Sequence, residues 1–265
     1  MDKGQLLDRV GALGEDRLVL AKILDRAAQA LHRNVPAATD FLSPQQQIQA
    51  LDLLRLAEAP SSSYVLTGGY EGAERQLFLF LPDWLEPEDA LTDSPIRVLR
   101  AAFRAADAPG HRDFLGSLMG IGIVREKIGD ILVGPDSADL LVLESVESFL
   151  LQSWTSAGRA KLNVSSIPPD CLHIPATKRE EIRDTVSSLR LDAVTASGFR
   201  MARGKAADLI AAGRVQLNWR ECAKPDRLLQ EGDVISVRGY GKFKLTEIGR
   251  LTKKGRTAIT LMKYV

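Results

Sequence analysis

Cations recur along the last third of the chain with the spacing of a binding surface. Arg190 precedes Leu191-Asp192, Arg200, Arg203 and Lys205 follow, and Arg214, Lys224, Arg238 and Lys242 come after. The apolar spacing of Ala206, Leu209 and Ile210 predicts a short helix from Arg203 to Ala212, closed by Gly213, with Arg200, Arg203 and Lys205 at its start. Unpaired N–H groups and the helix dipole favour an anion at that point. Guanidinium and ammonium groups gathered there suit a row of phosphates, and such binding weakens steeply as salt rises. Ala206, Leu209 and Ile210 are expected in the core, and Asp192 and Asp233 as turn and cap residues.

The whole-chain net charge of +1 hides a division. Residues 186–265 carry 16 Lys and Arg against 7 Asp and Glu, net +9, whereas residues 1–185 carry 19 against 27, net −8. A basic module on an acidic body points to a nucleic-acid partner for the first and offers a protein-docking role for the second. Other chemistries find little support. His32, His111 and His173 are scattered, without metal-ligand spacing or a neighbouring nucleophile. Cys171 and Cys222 are 51 positions apart with no CxxC, so neither a disulfide nor a thiolate metal site is expected. Gly120-Ile121-Gly122 lacks the third glycine of a dinucleotide-binding turn, position 125 being Arg. His111-Arg112-Asp113 imitates a kinase catalytic loop without its Gly-rich loop or Asp-Phe-Gly partner. The expectation is a non-enzyme with no cofactor and no metal. No apolar run of about 18 residues predicts a membrane span, and Met1-Asp2-Lys3-Gly4-Gln5 lacks signal-peptide character, so a cytoplasmic location is expected.

The elements that must position the cations follow from periodicity. Residues 3–58 read as helical, interrupted by Val35-Pro36 and restarted by Ser43 as N-cap with Pro44 at the first helical position. Tyr64–Leu66 and Gln76–Leu81 read as strands around a glycine-rich turn. From Ile96 the order is β-α-β-β-α-β: strand 96–103, helix 111–119, strands 128–133 and 139–143, helix 144–156, strand 159–164. That order is a ferredoxin-like plait, shared with RNA-recognition (RRM-like) domains. Its third strand, Asp139-Leu140-Leu141-Val142-Leu143, offers no aromatics for stacking bases, so any secondary RNA or ribosome contact is assigned to cations such as Arg112, Arg125 and Lys127. Ser165–Asp170 reads as the linker. Beyond it come a strand over 182–188, a helix over 191–196 with Gly198 as its C-cap, the cationic helix, and strands at 215–217, 234–237 and 257–262. The fold class is α+β in three parts: residues 1–94 mainly helical with a small hairpin, 95–166 the plait, and 186–265 the basic module.

Residues 190–238 resemble the S-four (alpha-L) RNA-binding domain, through Arg190-Leu191-Asp192, Arg203, Lys205-Ala206, Ile210, Gly213, Val215, Asn218 and Gly232-Asp233. In that domain a helix-turn-helix and a Gly-x-Val-x-Val-Asn turn grip structured RNA, which adds Asn218 to the expected RNA-binding set of Arg190, Arg200, Arg203, Lys205, Arg214, Lys224, Arg238 and Lys242. Two positions depart from the pattern: Ala202 stands where a Ser is usual, which removes a helix cap, and Trp219 where a small residue is usual. The whole chain is similar to the YlmH-type family, including its photosynthetic branch, the photosystem II S-four domain proteins. His111–Gly116, Gly120–Ile123, Arg125–Ile131 and Phe41-Leu42-Ser43-Pro44 carry that likeness. The resemblance implies structured RNA (rRNA or tRNA) and the large ribosomal subunit as partners, in rescue of stalled nascent chains. Two alternatives accompany it. In one, the RNA module recruits a protein-docking or assembly factor related to the photosystem. In the other, Arg190-Leu191-Asp192 serves an RNA-modifying enzyme such as a pseudouridine synthase, for which the 73 residues after Asp192 leave no enclosing domain.

Overall fold

The computed structural model describes residues 2–175 and 179–264, which fall into two compact units, Met1–Pro175 and Ala176–Val265. Unit one begins with α1 (Lys3–Arg9), α2 (Gly14–Arg33), β1 (Ala37–Ala38) and α3 (Pro44–Leu56). α2 ends at Asn34 in the left-handed conformation, just before Val35-Pro36. α3 opens as its sequence demands, with Ser43 and Gln46 forming a reciprocal capping box. β2 (Tyr64–Thr67) and β3 (Leu77–Phe80) pair with β1 in a small sheet ordered β1-β3-β2. Then follow α4 (Pro87–Thr92), β4 (Ile96–Ala102), α5 (His111–Gly120), β5 (Ile128–Val133), β6 (Ser137–Leu143), α6 (Glu144–Ser153), a two-residue pair β7 (Ser156–Ala157) and β8 (Ala160–Lys161), and β9 (Asn163–Ile167).

The plait is present, with sheet order β5-β6-β4-β9 and all neighbours antiparallel. Register decides what each face does, because successive strand residues point to opposite sides. Leu99, Ala101, Leu140 and Val142 face α5 and α6 and pack with Phe114, Leu118, Leu150 and Trp154. Ile96, Leu141 and Leu143 face the other way and pack against Phe41, Leu77, Leu79 and Leu81. The continuous apolar run of β3 is thereby explained: Leu77 and Leu79 face the plait, while Phe78 and Phe80 face α2 and α3. Residues 1–94 and 95–166, expected as separate parts, share this core within one compact unit. The sheet face that RNA-recognition domains keep open is closed here by the small N-terminal sheet.

The far end of that face is sealed by an ion pair. Arg100 Nε and Nη2 each donate to the buried Asp139 carboxylate at 2.7 Å, and the backbone N–H of His173 donates to it at 2.7 Å. The expected linker at Ser165–Asp170 is therefore corrected. Ser165, Ser166 and Ile167 pair with β4, and residues 169–173 fold back over Asp139, so the boundary between units falls after Pro175. Its Ser and Pro composition suggested a loop, whereas the β4 edge needed a strand to satisfy it.

Unit two comprises β10 (Arg179–Val186), α7 (Leu191–Gly198), α8 (Arg203–Ala211), β11 (Val215–Leu217), β12 (Arg220–Glu221), β13 (Val234–Val237), β14 (Gly241–Leu251) and β15 (Thr257–Tyr264). The described strands form one antiparallel sheet ordered β10-β15-β14-β13-β11-β12. Both helices lie on one face, where Leu191, Val194, Leu209 and Ile210 pack on Ile235, Phe243, Leu245 and Leu261. β14, the long strand at the centre, was absent from the expectation although Lys242-Phe243-Lys244-Leu245 alternates as a half-buried strand should. Gly198 is also corrected: it is the last helical residue of α7, not a left-handed cap, and Phe199 follows at φ −106. Its reason is space. A Cβ at Gly198 would lie 2.4 Å from the ring of Phe243. Gly198→Ala is therefore expected to cost about 1–3 kcal/mol through overpacking, read as a lowered thermal midpoint; an unchanged midpoint would show that the ring moves freely.

Candidate nucleic-acid interface

Asp192 organises the entrance to the basic surface. It sits in the first turn of α7 with its side chain 7% exposed, and two guanidiniums share its carboxylate. Arg190 grips it through Nε and Nη2 at 3.3 and 3.2 Å, and Arg203 through Nη2 alone at 3.1 and 3.0 Å. Arg203 opens α8, so the carboxylate ties the two helix starts together. Arg190 and Arg203 remain 37% and 48% exposed. Arg203 spends only Nη2 on the clamp, so its remaining guanidinium N–H donors lie outside it. Three groups with two positive charges and one negative leave a net positive, pre-oriented pair. The N–H groups of Leu191 and Asp192 donate to Arg227 and Pro225 carbonyls, which brings the segment bearing the exposed Lys224 against the same helix start.

A second group of cations lies along α8 and the β13–β14 turn. Lys205 holds its ammonium 5.4 Å from the Tyr240 ring centre. Tyr240 meets Phe199 edge-on at 5.9 Å, and Lys263 lies over Phe199 at 5.8 Å. Arg214 donates from Nη2 to the Arg238 carbonyl at 2.9 Å, and the Arg238 N–H returns a bond to the Arg214 carbonyl. Gly213, at φ 66, makes the left-handed turn that delivers Arg214 there. No side chain caps Ala202 at the start of α8, so the first N–H groups lack a side-chain acceptor there. Arg190, Arg203, Lys205, Arg214, Lys224 and Arg238 are thus presented by α7, α8 and the loops beside them.

Other expected residues are placed differently. Arg200 sits in the α7–α8 turn at φ 50 and reaches back to Glu180 of β10 at 3.0 Å. Asn218 spends its amide inside the fold: Nδ2 donates to Asp233 at 2.8 Å and Oδ1 accepts from the Val234 N–H at 2.9 Å. Lys242 lies on the sheet face away from the helices, aligned with Tyr264 and Ser236. In unit one, Arg125 turns inward and donates to the Ile128 and Gly129 carbonyls, beside Arg75. Lys127 pairs with Asp40 at 2.6 Å. Arg112 is exposed on the first turn of α5. Lys127 looks like a surface cation in sequence because nothing local announces the carboxylate of Asp40, 87 positions away, whereas Arg125 curls back onto carbonyls three and four residues ahead of it.

The aromatic members of the surface were missed. Phe199 and Tyr240 line the helix side, and Trp219 and Tyr264 line the other sheet face. Their signal was present in Trp219-Arg220, Tyr240-Gly241-Lys242 and Lys263-Tyr264, where cations adjoin rings. Asn218 and Trp219 form a two-residue hairpin turn with φ 50 and 62, the geometry that usually takes Asn-Gly. A ring-bearing residue there costs about 1–2 kcal/mol. Among the described residues no three His, Cys, Asp or Glu side chains gather as a metal-binding set, and no helix is long and apolar enough to cross a membrane.

Burial opposes the Asp192 charge, but the Arg190 and Arg203 hydrogen bonds outweigh it and hold the carboxyl below its ordinary range. A depressed carboxyl contributes stability above the unfolded-state pKa and loses it as pH falls through the folded value. Asp192→Asn is expected to lower stability by about 1–2 kcal/mol at neutral pH, a charged hydrogen-bond value reduced for the partly exposed arginines. The gap between variant and parent should close only below the ordinary carboxylate range. Denaturant titrations across pH check it; a gap that stays constant in acid would contradict the clamp.

Comparison with known proteins places the chain. Three family models match it in order: "YlmH, N-terminal" over residues 15–83, "Putative RNA-binding domain in YlmH" over 108–170, and "S4 domain" over 189–235. The S4 match begins just before the Arg190–Asp192–Arg203 clamp and ends within β13. The chain is 36% identical over 222 residues to "Ribosome-associated protein quality control protein P2" of Bacillus subtilis (strain 168), covering 84% of this chain and 85% of that one. It is also similar to the solved "Cell division protein ylmH from Streptococcus pneumoniae", at 22% identity and TM-score 0.49, over 59% of this chain and 93% of that chain. With the N-terminal, RNA-binding and S4 segments all matched in sequence order, the chain belongs to the YlmH family.

Proposed function

We propose that this protein is a non-catalytic factor that grips structured RNA, ribosomal or transfer, with the clamp side of its S4 domain and acts on the large ribosomal subunit when nascent chains stall. The observation that carries this is the carboxylate-oriented arginine pair joining the starts of α7 and α8, with Lys224 on the segment bonded to the α7 start and Lys205 and Arg214 along and beyond α8. Such cations fix a phosphate backbone in register without reading bases, which suits recognition of RNA by shape. The relative's name, with its reference to ribosome association and protein quality control, supports the choice of target.

The plait contributes in a subordinate way. Its sheet face is covered by Phe41, Leu77 and Leu79, so its contact with RNA is through exposed side chains such as Arg112 and not through stacked bases. The protein positions RNA and does not transform it; no step of bond making is assigned to any residue.

Binding of an rRNA hairpin, measured across a salt series, tests the assignment. Arg203→Ala with Lys205→Ala is expected to weaken binding and to reduce the slope of log affinity against log salt by about 2. The double variant should also lose co-sedimentation with the large subunit. A slope equal to that of the parent would remove these residues from the interface.

A further inference from the structure

The sheet of unit two has a second face, opposite α7 and α8, and it carries its own row of rings and cations. Register aligns Arg179, Tyr264, Lys242, Ser236 and Gln216 across five strands on this side. Arg179 lies 5.9 Å from the centre of the Tyr264 ring, and the Lys242 ammonium lies 5.5 Å from Tyr264 and 5.0 Å from Trp219. Trp219 reaches this row from the β11–β12 turn, with the small Ser236 between it and Lys242 in the strand order. Lys244 and Met262 continue the same face one step along β14 and β15. The buried cluster that includes α7 and α8 draws on the other side of the sheet, through Ile235, Phe243, Leu245 and Leu261.

Trp219 is the telling residue. Its φ of 62 is left-handed, in a turn whose geometry favours glycine, and Asn218 before it already satisfies the turn through Asp233 and Val234. An indole kept at a strained position that a glycine would relax argues for a use of the ring itself. Two aromatic rings with cations between and beside them, on a twisted sheet, match what unpaired nucleotides require: ring faces for bases and positive groups for the backbone.

We propose that this face is a second RNA site, taking unpaired nucleotides by stacking on Trp219 and Tyr264, with Arg179, Lys242 and Lys244 meeting their phosphates. It is separate from the clamp side, which takes structured RNA; the proposal rests on RNA being the ligand of the domain and adds a second class of RNA to it. One domain would then hold a folded element on its helical face and a single strand on its sheet face.

The test uses the full chain with two probes, a short fluorescein-labelled oligouridylate and an rRNA hairpin, read by anisotropy. Trp219→Gly removes the ring and relaxes the turn, so its thermal midpoint should equal or exceed that of the parent. Oligouridylate affinity should fall about tenfold, while hairpin affinity stays within twofold. Trp219→Phe should keep most of the oligouridylate affinity. Arg203→Ala with Lys205→Ala should show the reverse pattern, losing the hairpin and keeping the oligouridylate. The proposal is overturned if the parent does not bind oligouridylate, if Trp219→Gly binds it as the parent does, or if Trp219→Gly loses both probes in parallel. Loss of hairpin binding by the parent itself would instead sink the structured-RNA assignment, whatever the oligouridylate does.

Discussion

One carboxylate shared between two guanidiniums is the constraint on which the proposed interface depends. Asp192 is nearly buried at the start of α7, a position that would be costly without partners. Arg190 satisfies it from the same segment and Arg203 from the next helix. That arrangement does two things at once. It fixes the angle between two short helices, neither of which is long enough to persist alone, and it removes side-chain freedom from two long cations before any ligand arrives. Cations ordered in advance lose less entropy when a phosphate reaches them. The charge lost to Asp192 is thus exchanged for orientation.

The same economy of polar groups shapes unit one. A four-stranded plait sheet has two faces, and here both are spent on packing, one against α5 and α6 and the other against the N-terminal sheet. Gly129 makes that second contact close, since a Cβ there would sit 2.9 Å from the Phe41 ring. Asp130 is likewise spent inside the unit, accepting from the Tyr70 hydroxyl and from the Glu74 and Arg75 N–H groups. An element order shared with RNA-recognition domains therefore does not bring their binding mode with it. In unit two the two faces are divided differently: one is filled by helices and edged with cations, and the other is left with rings and cations of its own.

Much of this was legible in residue order. Ser43 as N-cap with Pro44 predicted the start of α3, the short apolar runs at 128–133 and 139–143 predicted the paired plait strands, and Gly213 predicted the turn that presents Arg214. What escaped was whatever depends on partners distant in sequence. Lys127 resembles a free surface cation until Asp40, 87 positions earlier, is brought beside it. Gly198 looks like a helix cap until Phe243, 45 positions later, is seen against it. Ser165–Ile167 looks like a linker until the β4 edge is seen to need it. β14 is a different case: the alternation of Lys242 and Lys244 with the buried Phe243 and Leu245 was readable, yet no strand was expected there.

The central claim is that Asp192 serves RNA binding by orienting Arg190 and Arg203, although its own charge repels phosphate. Measuring the affinity of Asp192→Asn for a structured rRNA hairpin separates orientation from charge. Simple electrostatics predicts tighter binding when a negative charge leaves a phosphate-binding surface. Orientation predicts weaker binding, with the folded state retained at neutral pH. A weaker complex supports the account, and a tighter or unchanged one contradicts it.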